Sequence, residues 1–546
     1  MKRKVIALLL IAVMLLLALT ACGTNTGSTG NDASDASAET AEASDGETLV
    51  MCNSNDIGTL SPHNYSGQMY AQDFVYEGLT AFVDDEVVPC LAESWDVSED
   101  GKTYTFHLRK GVKYTDGSDF DADNVIKNFD AILLHREDHS WLESLNQIKD
   151  VKKVDDSTVE ITLEEAYYPF LQEFTLARPI RFCADACIPK DLDTYANWDE
   201  DQDPIGTGMW ILKEHKPGEY AAFERNEDYW GEKPNFKYLR MEVIEDTTTI
   251  VSALKNGEID MIYDINNNLT ADAFNELKKA GFKCETSPAN SNLNIALNTK
   301  SGNTADLAVR QALEYCIDKQ TICDTVYDGL RQPCDRIFTE TLPYCGNKPN
   351  TVYTYDKEKA AKILDDAGWK LADGATVRQK DGKDLTVNFC YISDDAISKS
   401  LGEAFQSMCK EVGIDIELIG EESNSFYDRQ TSGEFDMIVS ETWGTQYDPH
   451  SMVASFREPS HADFRAQEGL KEKAELDQLV TDLLVETDEE KRQEMYDEVF
   501  NILMDNAVYI PICGTTTLCV AADDIDGIEM YDYASLIPTR TLKRVK

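Results

Sequence analysis

Residues 95–109 read WDVSEDGKTYTFHLR, and the second half of the stretch alternates strictly. Tyr104, Phe106 and Leu108 fall on one side, with Thr103, Thr105, His107 and Arg109 on the other. Period-two alternation after an Asp-Gly pair predicts a β-hairpin with one buried face. His107 then belongs to the polar side. Elsewhere the period becomes that of a helix. Residues 246–264 open on the capping types Asp246 and Thr247, carry Ile250, Val251 and Leu254 along one side, stop at Gly257 and re-enter an extended run at Ile259. Residues 398–420 repeat the plan, with Leu401, Phe405 and Met408 at helical spacing, a stop at Gly413, and alternation through Ile414, Ile416 and Leu418. Helices alternating with strands predict α/β lobes with mixed sheets. No short tandem repeat interrupts the pattern.

The N-terminus follows neither period. Lys2, Arg3 and Lys4 precede an apolar run from Val5 to about Leu19, and small residues lead to Cys22. Such a run, shorter than the roughly 20 apolar residues of a stable membrane span, predicts an export signal over residues 1–21. Leu19, Thr20, Ala21 and Cys22 resemble the lipobox of bacterial lipoproteins, which makes Cys22 the expected lipidation site. Its acyl chains would hold the protein on the membrane at about 0.8 kcal/mol per buried methylene. The expected location is therefore the extracytoplasmic face of the cell membrane. From Gly23 to Glu47 there is no large apolar residue, so residues 22–47 are expected to form a disordered tether, spanning roughly 25–30 Å as a flexible coil. The rest of the 546-residue chain exceeds what one core supports, and two lobes are expected. The first takes residues 48–287, with an inserted subdomain, together with 512–546; the second takes 288–511. Crossings are placed near Ser287-Pro288 and near Pro511.

Composition removes one class of partner. The leader carries three positive charges and no negative one, so its loss moves the formal charge from −49 to −52. A nucleic-acid binder needs basic patches to displace counterions, so none is expected as a partner. Of fourteen cysteines, thirteen remain once Cys22 is lipidated, an odd number that leaves at least one thiol unpaired. Cys316 in YCID and Cys519 in LCVA sit where a small hydrophobe would pack. Cys183 and Cys187 lack a second Cys/His pair at zinc spacing and read as packed thiols or a local bridge.

No GxSxG elbow, HExxH pair or GxxxxGK[ST] loop occurs, and carboxylate pairs carry little information among 100 acidic residues. No catalytic residue or catalytic cofactor is expected; a secreted hydrolase would need a nucleophile and base that the sequence does not offer. The remaining signal is residues 443–464, WGTQYDPHSMVASFREPSHADF. This turn-rich stretch combines Trp443, Tyr447, His450, Arg457 and His461. Aromatic walls with a few polar groups suit a small-ligand cleft.

Motifs spread along the chain carry a family resemblance. DGKTYTFHLRKGVKYTDG and RNEDYWGEKP resemble the extracytoplasmic solute-binding proteins of ABC importers for peptides and nickel, family 5. WLESLNQI (141–148), YYPFLQE (167–173), ARPIRF (177–182), LIGEE (418–422), YDPH (447–450) and PSHADF (459–464) are similar to its nickel-binding members. The resemblance implies a two-lobed periplasmic-binding-protein-like fold with an interlobe cleft, closing on a divalent metal held in a small organic chelator. It implies His461 as the metal contact and Arg178 as the partner of a chelator carboxylate. Tyr65, Met69, Trp141, Trp443 and Tyr447 are implied as lining. The partners implied are an ABC permease/ATPase complex and the chelate, with the receptor a monomer. The alternative is a di- or oligopeptide receptor in which Arg178 holds the peptide carboxylate. Two departures stand out: Asp138, in REDHSW, occupies the place of a family arginine, and the loop NYSGQM is short. An anion at that place repels a chelator carboxylate, so a chelator with fewer carboxylates or with an amine is expected.

Overall fold

The computed structural model describes residues 46–188 and 203–545, apart from Ser66, Asp84, Asp85, Asn267, Asp448, Asp532, Ala534 and Ser535. The export signal, Cys22 and most of the expected tether lie outside the described residues.

The alternating stretch is a hairpin. Strands Ala92–Val97 and Thr103–Leu108 pair antiparallel with Trp95 opposite Phe106. Tyr104, Phe106 and Leu108 are buried, and the Phe106 ring stacks on Phe174 at 5.9 Å while Tyr104 meets Phe170 at 4.4 Å. These contacts fix the segment that leads to Arg178. His107 stays on the polar face, its Nε2 2.8 Å from an Asp96 carboxylate oxygen. With Thr158–Leu163 and Ile148–Asp155 the hairpin completes a four-stranded sheet.

Two larger mixed sheets organise the rest. A seven-stranded sheet is ordered Lys283–Thr286, Leu518–Ala521, Met261–Asp264, Thr48–Asn53, Tyr238–Val243, Tyr220–Arg225, Trp210–Lys216. A five-stranded sheet is ordered Asp415–Glu421, Thr386–Ile392, Met437–Glu441, Ser291–Leu297, Tyr509–Thr515. Parallel and antiparallel pairs occur in both, as expected of α/β lobes. The chain passes from the first sheet to the second between Thr286 and Ser291. It returns between Thr515 and Leu518, so Pro511 lies inside a strand of the five-stranded sheet.

Local signals set the helix limits. The helix Thr247–Asn256 begins where the Asp246 carboxylate accepts from the Thr249 N–H and ends at Gly257, whose φ of 70° suits a residue without a Cβ. The helix Ala396–Lys410 is capped by Asp395 in the same way. Contacts tie the two halves together: Gln172 Nε2 donates to the Gln446 carbonyl at 3.1 Å, and Ser451 Oγ donates to the buried Glu173 carboxylate at 2.9 Å. Burial raises the pKa of Glu173, opposed by hydrogen bonds from Tyr167 and Ser144.

Gly206 shows how tightly the first half is packed near its cleft. A Cβ there would stand 1.8 Å from the carbonyl oxygen of Val75, the last residue of the helix Met69–Val75. Gly206→Ala is expected to destabilise the protein by about 1–3 kcal/mol or more, since overpacking must move backbone. Thermal unfolding followed by circular dichroism checks this; an unchanged midpoint would show that the approach is looser than described.

Candidate functional site

A chain of polar contacts begins at Tyr65. The Trp141 indole N–H donates to the Tyr65 hydroxyl at 2.7 Å, and the same hydroxyl lies 2.7 Å from His139 Nδ1. Trp Nε1 only donates, so the Tyr65 oxygen accepts from it; its second lone pair can also accept from Nδ1, so the tautomer of His139 decides which group donates in that contact. Nε2 of His139 is buried without a hydrogen-bond partner among the described residues, and burial, which disfavours the charged form, pushes the imidazole pKa down to about 4. The sequence placed Tyr65 and Trp141 in the cleft and missed His139; the H-x-W spacing in REDHSW is the signal that could have found it.

Arg178 stands beside this chain. Its guanidinium carbon lies 5.3 Å from the Tyr65 ring centre, and Nη1 donates to the Gly67 carbonyl at 2.6 Å. Among the described residues no carboxylate pairs with it, in a chain with almost twice as many acidic as basic side chains. Burial lowers its pKa, and the nearby Tyr447 and Tyr65 oppose the shift. A half-buried arginine without an anion is a ready partner for a carboxylate from outside.

The second half contributes the opposing wall. Trp443 follows the strand Met437–Glu441, so it sits off the carboxyl end of a central strand, where α/β sheets commonly hold ligands. Trp141 packs edge-on against Trp443 at 5.8 Å and tilted against Tyr447 at 6.1 Å. The Tyr447 hydroxyl donates to Met69 Sδ at 3.5 Å. Six of the seven cleft residues expected from the sequence thus form one continuous cluster.

Among the described residues His461 joins it through Trp443, whose ring lies 5.7 Å away. Both line a cavity of about 350 Å³ in the second half, with Phe426 and Tyr427 as further aromatic wall and Asp395, Glu441 and Asp463 as acids. His461 is half-buried, and none of the described residues hydrogen-bonds to its ring nitrogens. The neighbouring acids are engaged: Asp395 caps a helix, Glu441 accepts from Ser291 at 3.1 Å and also from Thr515, and Asp463 accepts from Tyr509 at 2.7 Å. His450, in the same sequence stretch, is instead buried with Nδ1 2.6 Å from the Tyr496 hydroxyl, and Arg457 reaches Glu143 at 3.6 Å. Asp138 is largely exposed, 3.7 Å from His135 Nδ1. Among the described residues no group of three or more His, Cys, Asp or Glu is arranged to hold a metal ion. A second hollow of about 580 Å³, bordered by Glu494, Asp497, Glu498 and Asp505, has none of the aromatic walls.

The neutral state of His139 has a stability consequence. Its pKa is lower folded than unfolded, so as pH falls below about 6.5 the unfolded chain takes up a proton that the folded chain refuses until about pH 4. His139→Gln removes this titration. The stability advantage of the native sequence over the variant is expected to shrink by at most about 3 kcal/mol between pH 7 and pH 4. Urea unfolding at both pH values measures it, and a constant gap would contradict the neutral assignment.

Comparison with known proteins places the cluster in context. The family model for bacterial extracellular solute-binding proteins, family 5, matches residues 86–464. The nickel-binding periplasmic protein of Escherichia coli K12 is 42% identical over 496 residues, covering 90% of this chain and 93% of that protein. The dipeptide-binding protein of the same organism is 27% identical over 510 residues, covering 88% and 92%. The crystal structure of NikA from Brucella suis in complex with Fe(III)-EDTA superposes with a TM-score of 0.88 at 41% identity, covering 91% of this chain and 100% of that one. The chain therefore belongs to family 5 of the bacterial extracellular solute-binding proteins, two-lobed receptors that bind small ligands outside the cytoplasm for ABC permeases and perform no chemistry on them.

Proposed function

We propose that this chain captures a divalent metal, nickel foremost, already wrapped in a small organic chelator, and hands the complex to its ABC permease. The observation that carries the reading is His461: an imidazole on a cavity wall beside Trp443, with ring nitrogens that no described residue engages. Neutral imidazole suits nickel, cobalt, copper and zinc alike, so the metal's identity follows from supply as much as from affinity. The acids nearest to His461 are occupied by other hydrogen bonds, so the chelator furnishes most of the remaining donors. One protein ligand is a grip weak enough to release.

Arg178 receives a chelator carboxylate, and Tyr65, Met69, Trp141, Trp443 and Tyr447 form the aromatic and thioether lining. Asp138 and the acids of the cavity disfavour a polyanionic chelator, which points to one with few carboxylates or with an amine. The receptor works as a monomer, held to the outer face of the membrane through lipid on Cys22 and a tether over residues 22–47. The two closing lobes are the one built on the seven-stranded sheet and the one built on the five-stranded sheet, with the return crossing between Thr515 and Leu518 in place of the one expected near Pro511.

Calorimetry with nickel plus free histidine, against a panel of di- and tripeptides, tests the reading. The native protein is expected to bind the nickel complex, and His461→Ala to bind it at least about tenfold more weakly. Heat from peptides alone, unchanged by the substitution, would favour a peptide receptor. In the same assay Asp138→Arg is expected to strengthen binding of a polycarboxylate chelate such as Fe(III)-EDTA by about three- to tenfold, a modest factor because the side chain is exposed.

A further inference from the structure

Two cysteines that no part of the binding account uses meet in the second half of the chain. Cys316 is the last residue of the helix Leu307–Cys316, and Cys409 lies in the last turn of the helix Ala396–Lys410. Their sulfur atoms stand 3.3 Å apart, and both residues are buried, at 1% and 0% exposure. A second contact holds the same helix ends together, the Asp318 N–H donating to Met408 Sδ at 3.4 Å. Cys316 Sγ also lies 3.4 Å from the Leu313 carbonyl, as Cys183 lies 3.5 Å from the Asn128 amide oxygen and Cys187 3.4 Å from the Asp203 carbonyl.

We infer that Cys316 and Cys409 are a disulfide-forming pair that staples these two helices when the chain folds outside the cytoplasm. A disulfide needs its sulfurs about 2.05 Å apart, so the thiols must close by a little over 1 Å, within the reach of side-chain rotation while the backbones stay in contact. The partners are 93 residues apart, and joining them removes a long loop's worth of freedom from the unfolded chain. The oxidant is an external disulfide. One cysteine thiolate attacks it, forming a mixed disulfide and expelling one thiolate; the second cysteine thiolate then attacks the protein sulfur and expels the other. Two protons leave the protein thiols, two electrons pass to the oxidant, and its S–S bond becomes two thiols.

Burial sets when this happens. In the folded chain Cys409 is shielded, and burial beside Cys316 pushes its thiol up, so little thiolate exists there and no oxidant reaches it. The bond therefore forms while the chain is still folding and is protected from reductants afterwards.

The full-length chain refolded from denaturant in oxidised and reduced glutathione tests this. Alkylation with iodoacetamide in denaturant without reduction, followed by digestion and mass spectrometry, is expected to recover one cross-linked peptide pair joining Cys316 to Cys409. Its mass is about 2 Da below the sum of the two thiol peptides. Protein refolded with reductant throughout is expected to melt roughly 5 °C or more below the oxidised form, whereas Cys409→Ser melts at one temperature in either buffer. Recovery of both cysteines alkylated, a bond from either to a different cysteine, or melting of the native sequence indifferent to the redox buffer would overturn the inference.

Discussion

Trp443 is the side chain on which the cleft turns. Its ring meets Trp141 and Tyr447, and it also meets His461, with which it lines the cavity of the second half. Aromatic pairs at such distances contribute about 0.5–1.5 kcal/mol beyond the area they bury, and their edge-to-face geometry fixes direction as well as proximity. The contact between Trp141 and Trp443 therefore brings together two sets of polar groups from the two halves of the chain, the Tyr65–His139–Arg178 group and His461.

Electrostatics gives that convergence its use. A chain with a formal charge of −49 keeps Arg178 without an acidic partner among the described residues, although acids surround the rest of the surface. Desolvating a guanidinium and then withholding a carboxylate is unfavourable unless an anion arrives, so the site is poised for a ligand. His139 works in the opposite sense. Held neutral by burial, it shares a hydrogen bond with the Tyr65 hydroxyl, whose oxygen also accepts from the Trp141 indole.

The elements were legible where a local rule decides them. Tyr104, Phe106 and Leu108 announced a buried strand face, and Asp246 with Gly257 marked both ends of a helix, because capping and alternation act over a few residues. Cys316 and Cys519 read as buried from their apolar neighbours alone, and both are. His450 shows the limit. It shares a turn-rich stretch with His461, yet it is buried against Tyr496, 46 residues further along the chain, and no spacing rule within the stretch separates the two imidazoles. His139 escaped notice for a related reason. Its role rests on a hydrogen bond to Tyr65, 74 residues earlier, and that pairing is a property of assembled geometry.

The account stands on the imidazole of His461 reaching a metal that its chelator has only partly surrounded. Anomalous diffraction at the nickel edge, from crystals grown with nickel and free histidine, measures this directly. The predicted result is one nickel ion between Trp443 and His461, with a ring nitrogen of His461 at about 2.1 Å, the distance typical of imidazole on a divalent metal. A nickel ion whose donors all come from the small molecule, or a cleft holding a peptide and no anomalous signal, would contradict it.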